Sequence, residues 1–197
     1  MTTLTLSVWN NYAYISQAAA RAHIDALLKL TTTPPTDTVE CVPPTTTDKT
    51  EVDLDTPDEL AVRSLLLGVL YYRLGDFATA RRHLTEAYAL RTEIKVSTWV
   101  SGMALFELAV VDLKEMDAVQ SALAEGSKAY IPEGMHTWED VLYAADHKLN
   151  EVLKLSSRSV DLSSRLDSRV TMFKEEIRKK REATAGGKVE RDTFKLE

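Results

Sequence analysis

The side chains with the best claim to chemistry are four histidines, one cysteine, an acidic pair, a Thr-Pro step and a run of four cations. His23, His83, His136 and His147 are scattered along the chain. None stands in the His-x-x-x-His or Glu-x-x-His spacing that sets two metal ligands on one helix face. Asp146-His147 is a neighbouring pair without reach to a shared ion. Cys41 is the only cysteine, which rules out an internal disulfide and any zinc site built on several thiolates. Glu139-Asp140 could be read as an acid-base pair, but adjacent residues point apart on a helix, and their place in a first turn suits the helix dipole instead. Thr33-Pro34 could accept a phosphate, although a solvated linker explains it as well. Arg178-Lys179-Lys180-Arg181 could serve nuclear import or an acidic membrane surface; Glu175, Glu176 and Glu182 flank it, as expected of a solvated helix end. No glycine-rich phosphate loop, nucleophile elbow or Cys-x-x-Cys is present. The residues thus imply no catalytic group, no cofactor and no metal, and a non-enzymatic protein.

The elements that carry these residues read as helices. Leu65 to Ala87, LLLGVLYYRLGDFATARRHLTEA, fits two short antiparallel helices. Leu67, Gly68 and Tyr71 fill the first block of the tetratricopeptide pattern, with Ser64 where Trp is usual. Ala80 and Leu84 fill the second block, and Thr92 replaces the closing Pro. Gly68 and Ala80 lack bulk where the two helices cross, so the backbones can approach. Gly75 can take the left-handed conformation that ends the first helix, and Asp76 can cap the second. This expects an all-α fold of tetratricopeptide-like antiparallel helical hairpins, a fragment of an α-solenoid, with a C-terminal helix pair.

The flanking chain divides as follows. Residues 1–30 hold an N-terminal helix, Leu6 to Leu30, with Val8, Tyr12, Ile15, Ala19, Ala22 and Ala26 as its apolar stripe, widened by Trp9, Ile24, Leu27 and Leu28. Residues 31–56 are a Thr/Pro-rich loop with Pro-Pro at 34–35 and 43–44, too polar to offset chain entropy. Thr56-Pro57-Asp58-Glu59 is a capping box that starts the first repeat helix. Thr98 to Lys114 is a further helix burying Val100, Met103, Ala104, Phe106, Leu108 and Val111. Leu108-Ala109 could replay Leu67-Gly68, with a turn at Met116-Asp117 and small residues at Ala122 and Ala129. That pair lies 41 residues after the first, against roughly 34 in a regular array, so Arg91 to Ser97 must absorb the difference. Ile131-Pro132-Glu133-Gly134 breaks the pattern.

Thr137 to Leu155 buries Trp138, Val141, Leu142, Ala145, Leu149, Val152 and Leu153. A last helix, from Ser159 or Asp161 to about Ala183, carries Leu162, Leu166, Val170, Phe173 and Ile177 on one stripe, with Glu175–Lys179 and Glu176–Lys180 paired four apart. The repeat region is thus 57–183, and 184–197 form a charged tail that includes Gly186-Gly187 and is expected to be disordered.

The bulk properties agree. A 197-residue chain of net charge −6 suits one compact domain and disfavours nonspecific nucleic-acid binding by its whole surface. Trp99 to Val111, the most apolar run, is broken by Glu107 and falls short of the roughly 20 residues that span a bilayer. No secretory signal is visible, so a cytoplasmic or nuclear location is expected. In arrays of this kind a peptide usually lies in the groove lined by the first helix of each pair. The matching positions are Leu65, Val69, Phe106 and Val110, all apolar. That argues against a clamp for a carboxylate and leaves two options: neighbouring helices bury these faces, or an apolar ligand helix lies there.

Four passages, LLLGVLYYRLGDFATARRHL, Phe106-Glu107-Leu108-Ala109-Val110, TWEDVLYAADHKLNEVL and DLSSRLDSRVTMFKEEI, resemble the C-terminal region of the fungal inclusion-body clearance proteins of the Iml-two group. These are related to animal tetratricopeptide repeat protein thirty-nine. The resemblance spans residues 57 to 182, and its last two passages are more particular to the group than the first. It implies a part of a longer product, with Leu6 to Leu30 ending what precedes. It also implies a non-enzymatic role in clearing misfolded-protein aggregates, in cytosol and nucleus, with peripheral association to lipid droplets or the mitochondrial outer membrane. The expected partners are other proteins, either aggregate components or lipid-droplet proteins, or else the segment is a capping or dimerisation module of a longer array. No site residue is carried over from the group.

Overall fold

The computed structural model describes residues 15–30, 56–125, 137–156 and 163–185, and within them the chain is all helical. The helix after residue 56 begins where local chemistry requires it. The Thr56 hydroxyl accepts from the Glu59 amide while the Glu59 carboxylate accepts from the Thr56 amide and hydroxyl. This reciprocal box, with Pro57 at the first turn, starts α2, Pro57–Arg73. Gly75, at φ +82, closes that helix, and Asp76 accepts from the Thr79 amide at 3.0 Å to start α3, Phe77–Ala89. The two pack side by side, and the crossing depends on the missing side chain of Gly68. A Cβ there would meet Leu84 Cγ at 2.6 Å and the Ala80 carbonyl oxygen at 3.1 Å.

Leu84 is fully buried and cannot retreat far, so Gly68→Ala is expected to destabilise by about 1–2 kcal/mol despite alanine's better helix propensity. Urea unfolding checks this. Gly75→Ala tests a different cost, because nothing lies within 4 Å of a Cβ there and only the positive φ opposes it.

Ahead of this hairpin lies α1, Gln17–Leu28, capped by Ser16 and packed on α2. Its buried residues are Ala20, Ile24 and Leu27. The stripe expected through Ala19, Ala22 and Ala26 is therefore rotated by about one residue. Ile24 and Leu27 remove more apolar area from water than the alanines would, leaving Ala22 and Ala26 exposed and Leu28 47% exposed. Leu6 to Tyr14, with Val8, Trp9 and Tyr12, lies outside the described residues, as do 31–55 with Cys41 and Thr33-Pro34.

Beyond α3, a short 3-10 turn over Leu90–Thr92 leads into a connection held from the other side of the hairpin. Asp58, in the first turn of α2, accepts from the amides of Lys95 at 3.0 Å, Val96 at 2.9 Å and Ser97. This contact fixes the path of residues 95–97 against the start of α2, and no spacing in the sequence announces it. The Ser97 and Lys95 amides, helped less by Val96 and the Ser97 hydroxyl, outweigh the opposing effect of desolvation and hold the Asp58 carboxyl below the usual carboxylate range. A depressed folded-state value stabilises the fold at pH above the unfolded value of about 4, and that contribution disappears as pH falls through the folded value. Asp58→Asn should therefore lower the melting temperature at neutral pH, and its gap from the parent should close on acidification. Thermal melts across that range read the result.

The helix after this connection departs most from expectation. α4, Trp99–Ala124, is 26 residues long and runs straight through Met116-Asp117. The turn expected there does not exist, and Ala122 belongs to the same helix. Lys114 to Asp117 contains no Gly or Pro, so nothing terminates the helix as Gly75 does in the first hairpin. Ala129 and Ile131 to Gly134 lie outside the described residues.

Helix α5, Trp138–Ser156, begins on a second box in which Thr137 and Asp140 bond reciprocally, and it buries Val141, Leu142, Ala145, Leu149 and Val152 as expected. Helix α6, Ser163–Ala185, buries Leu166, Val170, Phe173 and Ile177 and runs two residues past the expected end; Leu162 is outside the described residues. α4 packs mainly against α3 and α5 and also touches α2 and α6, which makes it the hub of the fold in place of the α2–α3 hairpin.

Candidate functional site

Of the chemically suggestive residues, His83, Asp140 and Asp146 are each engaged by near neighbours in the chain. His83 is buried on α3 and stacks on Tyr71 at 5.6 Å. Its Nδ1 lies 2.9 Å from Glu86 and its Nε2 3.3 Å from an Arg82 nitrogen. Because Arg82 can only donate, Nε2 is the acceptor and Nδ1 carries the proton. Asp146 ignores His147 and faces Asn150 and Lys174, while His147 is exposed. His23 is partly buried on α1, and His136 lies outside the described residues. Glu139 is exposed, and Asp140 is engaged in the α5 cap.

The basic cluster is largely neutralised. Arg178 spans Glu175 and Glu182, and Lys179 pairs with Glu176, so the pairs expected four apart, Glu175–Lys179 and Glu176–Lys180, do not form. The arginine fork reaches two carboxylates at once, and Lys180 is left to lie over the Trp138 ring at 4.3 Å. The Trp138 indole N–H donates to Gln120 at 2.8 Å, fastening α5 to α4.

The expected groove positions resolve to the first of the two options. Leu65, Val69, Phe106 and Val110 are all buried by the chain's own helices. Beside them sit two ionic clusters that spacing did not reveal. Asp112 of α4 has a fully buried side chain and accepts from Arg81 of α3 and, at 2.7 Å, from Lys148 of α5. Arg81 also reaches Glu115. Burial alone would weaken the guanidinium's hold on its proton, but Asp112 and then Glu115 outweigh it and raise the Arg81 pKa. Glu107, also buried, accepts from Arg169 of α6 at 3.2 Å. The Arg169 guanidinium lies 4.4 Å from the centre of the Phe106 ring, and Phe106 meets Phe173 at 5.5 Å. Burial first, and the Glu107 charge second, push the Tyr72 phenol up to about 12. Burial likewise lowers the Lys114 ammonium, against the pull of Asp117. The one signal that could have found these clusters is a pair of carboxylates lodged in an otherwise apolar run.

Chemically, the arrangement neutralises charge. Asp112 and Glu107 face cations held by neighbouring helices, a geometry that ties elements together and presents no carboxylate to a substrate. Among the described residues no group of three His, Cys, Asp or Glu stands in metal-binding proximity, and no helix is long and apolar enough to cross a membrane. Fold and site together define an all-helical protein organised on a central helix with internal ion pairs. No protein-family model, no curated protein and no solved structure matches the chain.

Proposed function

We propose that this chain is a tetratricopeptide-type helical-repeat scaffold that works by binding other proteins and performs no chemistry. The observation that carries the reading is the α2–α3 crossing. There Gly68 closes on Ala80 and Leu84, the positions that the repeat pattern reserves for small and packing residues, with Gly75-Asp76 at the turn. The resemblance of residues 57 to 182 to the inclusion-body clearance group gives the partner class: components of misfolded-protein aggregates, met in cytoplasm or nucleus, with peripheral association to lipid droplets. Co-sedimentation tests it. The purified chain is mixed with a reporter enzyme that is either native or heat-aggregated, and the pellets are compared. Enrichment with the aggregated form only is expected, and equal recovery with both forms overturns the reading.

A second reading is favoured by α6. That helix buries one stripe and turns Glu175, Arg178, Lys179 and Glu182 to solvent, the polar outer face that a terminal repeat needs. The buried groove positions point the same way. On this reading the segment closes or dimerises a longer array and captures nothing alone, and it then fails the co-sedimentation test and sizes as a dimer or aggregate by light scattering.

A further inference from the structure

The hydrophobic effect cannot by itself orient α4. Every residue from Val100 to Leu113 is buried, so the helix is apolar around its whole girth, and burial is a non-directional force that scales with area. Rotating α4 about its axis, or sliding it by a turn, would exchange one set of Val, Leu, Ala and Met contacts for another of similar area. The strongly polar exceptions in that run are Glu107 and Asp112, and both are ion-paired to other helices. They are five residues apart, which places them about 140° apart around the helix and about 7.5 Å apart along it. Asp112 points to α3 and α5, and Glu107 to α6. Two directional contacts at different angles and heights are the minimum that fixes both rotation and axial position.

We propose that Asp112 and Glu107 are register locks: they select one docking of α4 among its four neighbours and contribute little net stability. A buried ion pair is a poor source of stability, because desolvation offsets the attraction, but it heavily penalises any arrangement that separates its charges. A misregistered α4 would bury Asp112 or Glu107 against apolar neighbours with no cation in reach.

The test removes the charges without removing volume. The variant Arg81→Met, Glu107→Leu, Asp112→Leu, Lys148→Met, Arg169→Met is made in the full chain, with Cys41→Ser and spin labels on Leu123→Cys and Met172→Cys. Both label sites are exposed, at 52% and 70%, and they report the position of α4 relative to α6. The parent charges should give one narrow distance distribution. The apolar variant should keep its helix content and urea midpoint but add a second distance population of at least about a tenth of the molecules, a gap small enough to follow from losing both selective contacts. The swap Glu107→Arg with Arg169→Glu, which keeps opposite charges in place, should return the distribution to one peak. A single narrow distribution in the folded apolar variant overturns the proposal. Loss of helix content in that variant overturns it too, since the pairs would then supply stability and not selection.

Discussion

Asp112→Ala is expected to cost about 3–5 kcal/mol, because it leaves the Lys148 ammonium without its carboxylate and the Arg81 guanidinium with Glu115 alone at a largely buried junction. For a chain of this size that is a fall in melting temperature of roughly 6–20 °C. The loss belongs to the unpaired cations and not to the carboxylate. Combining Asp112→Ala with Arg81→Met and Lys148→Met should therefore recover most of it, and urea denaturation of the parent, the single variant and the triple variant separates the two contributions. Glu115 touches only Arg81 and is partly exposed, so it can turn to water once Arg81 is gone. If the triple variant were less stable than Asp112→Ala alone, the cations would be making favourable contacts other than to Asp112.

Phe106→Ala is the second large effect, at about 3–5 kcal/mol. Phe106 is 1% exposed and ranks among the largest fully buried side chains; it sits where α4 and α6 meet, against the Phe173 ring and under the Arg169 guanidinium. Truncation opens a cavity that the surrounding helices can fill only in part, and it removes the apolar wall behind the Glu107–Arg169 pair. Phe173→Ala should cost a comparable amount. The double variant should cost less than the sum of the two, since residues in contact share their interaction energy. Additive losses would mean that the two rings do not pack together in solution.

The α2–α3 hairpin and the α4 helix differ in how well the sequence foretells them. Thr56, Pro57 and Glu59 act within one turn of each other, and so do Gly75 and Asp76; interactions of that range depend on few other residues. The small residue at Gly68 was readable for a similar reason, because a repeat pattern carries the packing partner at a known offset, Ala80. By contrast, α4 has no amphipathic stripe to read, since a helix buried on all sides gives no period, and its length was cut short by expecting a repeat where no breaking residue stands. The stripe of α1 was misplaced because alanines satisfy an apolar pattern while burying little area. The contacts of Asp112 and Asp58 are not legible in the sequence because their partners, Arg81 and Lys148 for one and the amides of 95–97 for the other, lie more than thirty residues away in the chain, beyond any spacing rule.

The expected contacts on the α5–α6 hairpin fared better for their apolar faces than for their charges. Val141, Leu142, Ala145, Leu149 and Val152 on α5 and Leu166, Val170, Phe173 and Ile177 on α6 are all buried, as their periods require. Exposed ion pairs have small energies, typically below 1 kcal/mol, so small geometric preferences decide which carboxylate a given cation finds, and Arg178 outcompetes its lysine neighbours through its two-pronged head.

The claim on which the rest depends is that α4 is the hub. Native-state amide hydrogen exchange on the full chain tests it most directly. With α4 packed against four helices, the amides from Met103 to Leu113 should exchange only through global unfolding and be the slowest in the molecule. Those of α1, which packs mainly on α2, should be released at much lower free energy. If the α2–α3 hairpin were instead the slowest to exchange and α4 opened ahead of it, the fold would be organised around that hairpin, and the role given to Asp112 and Glu107 would fall with it.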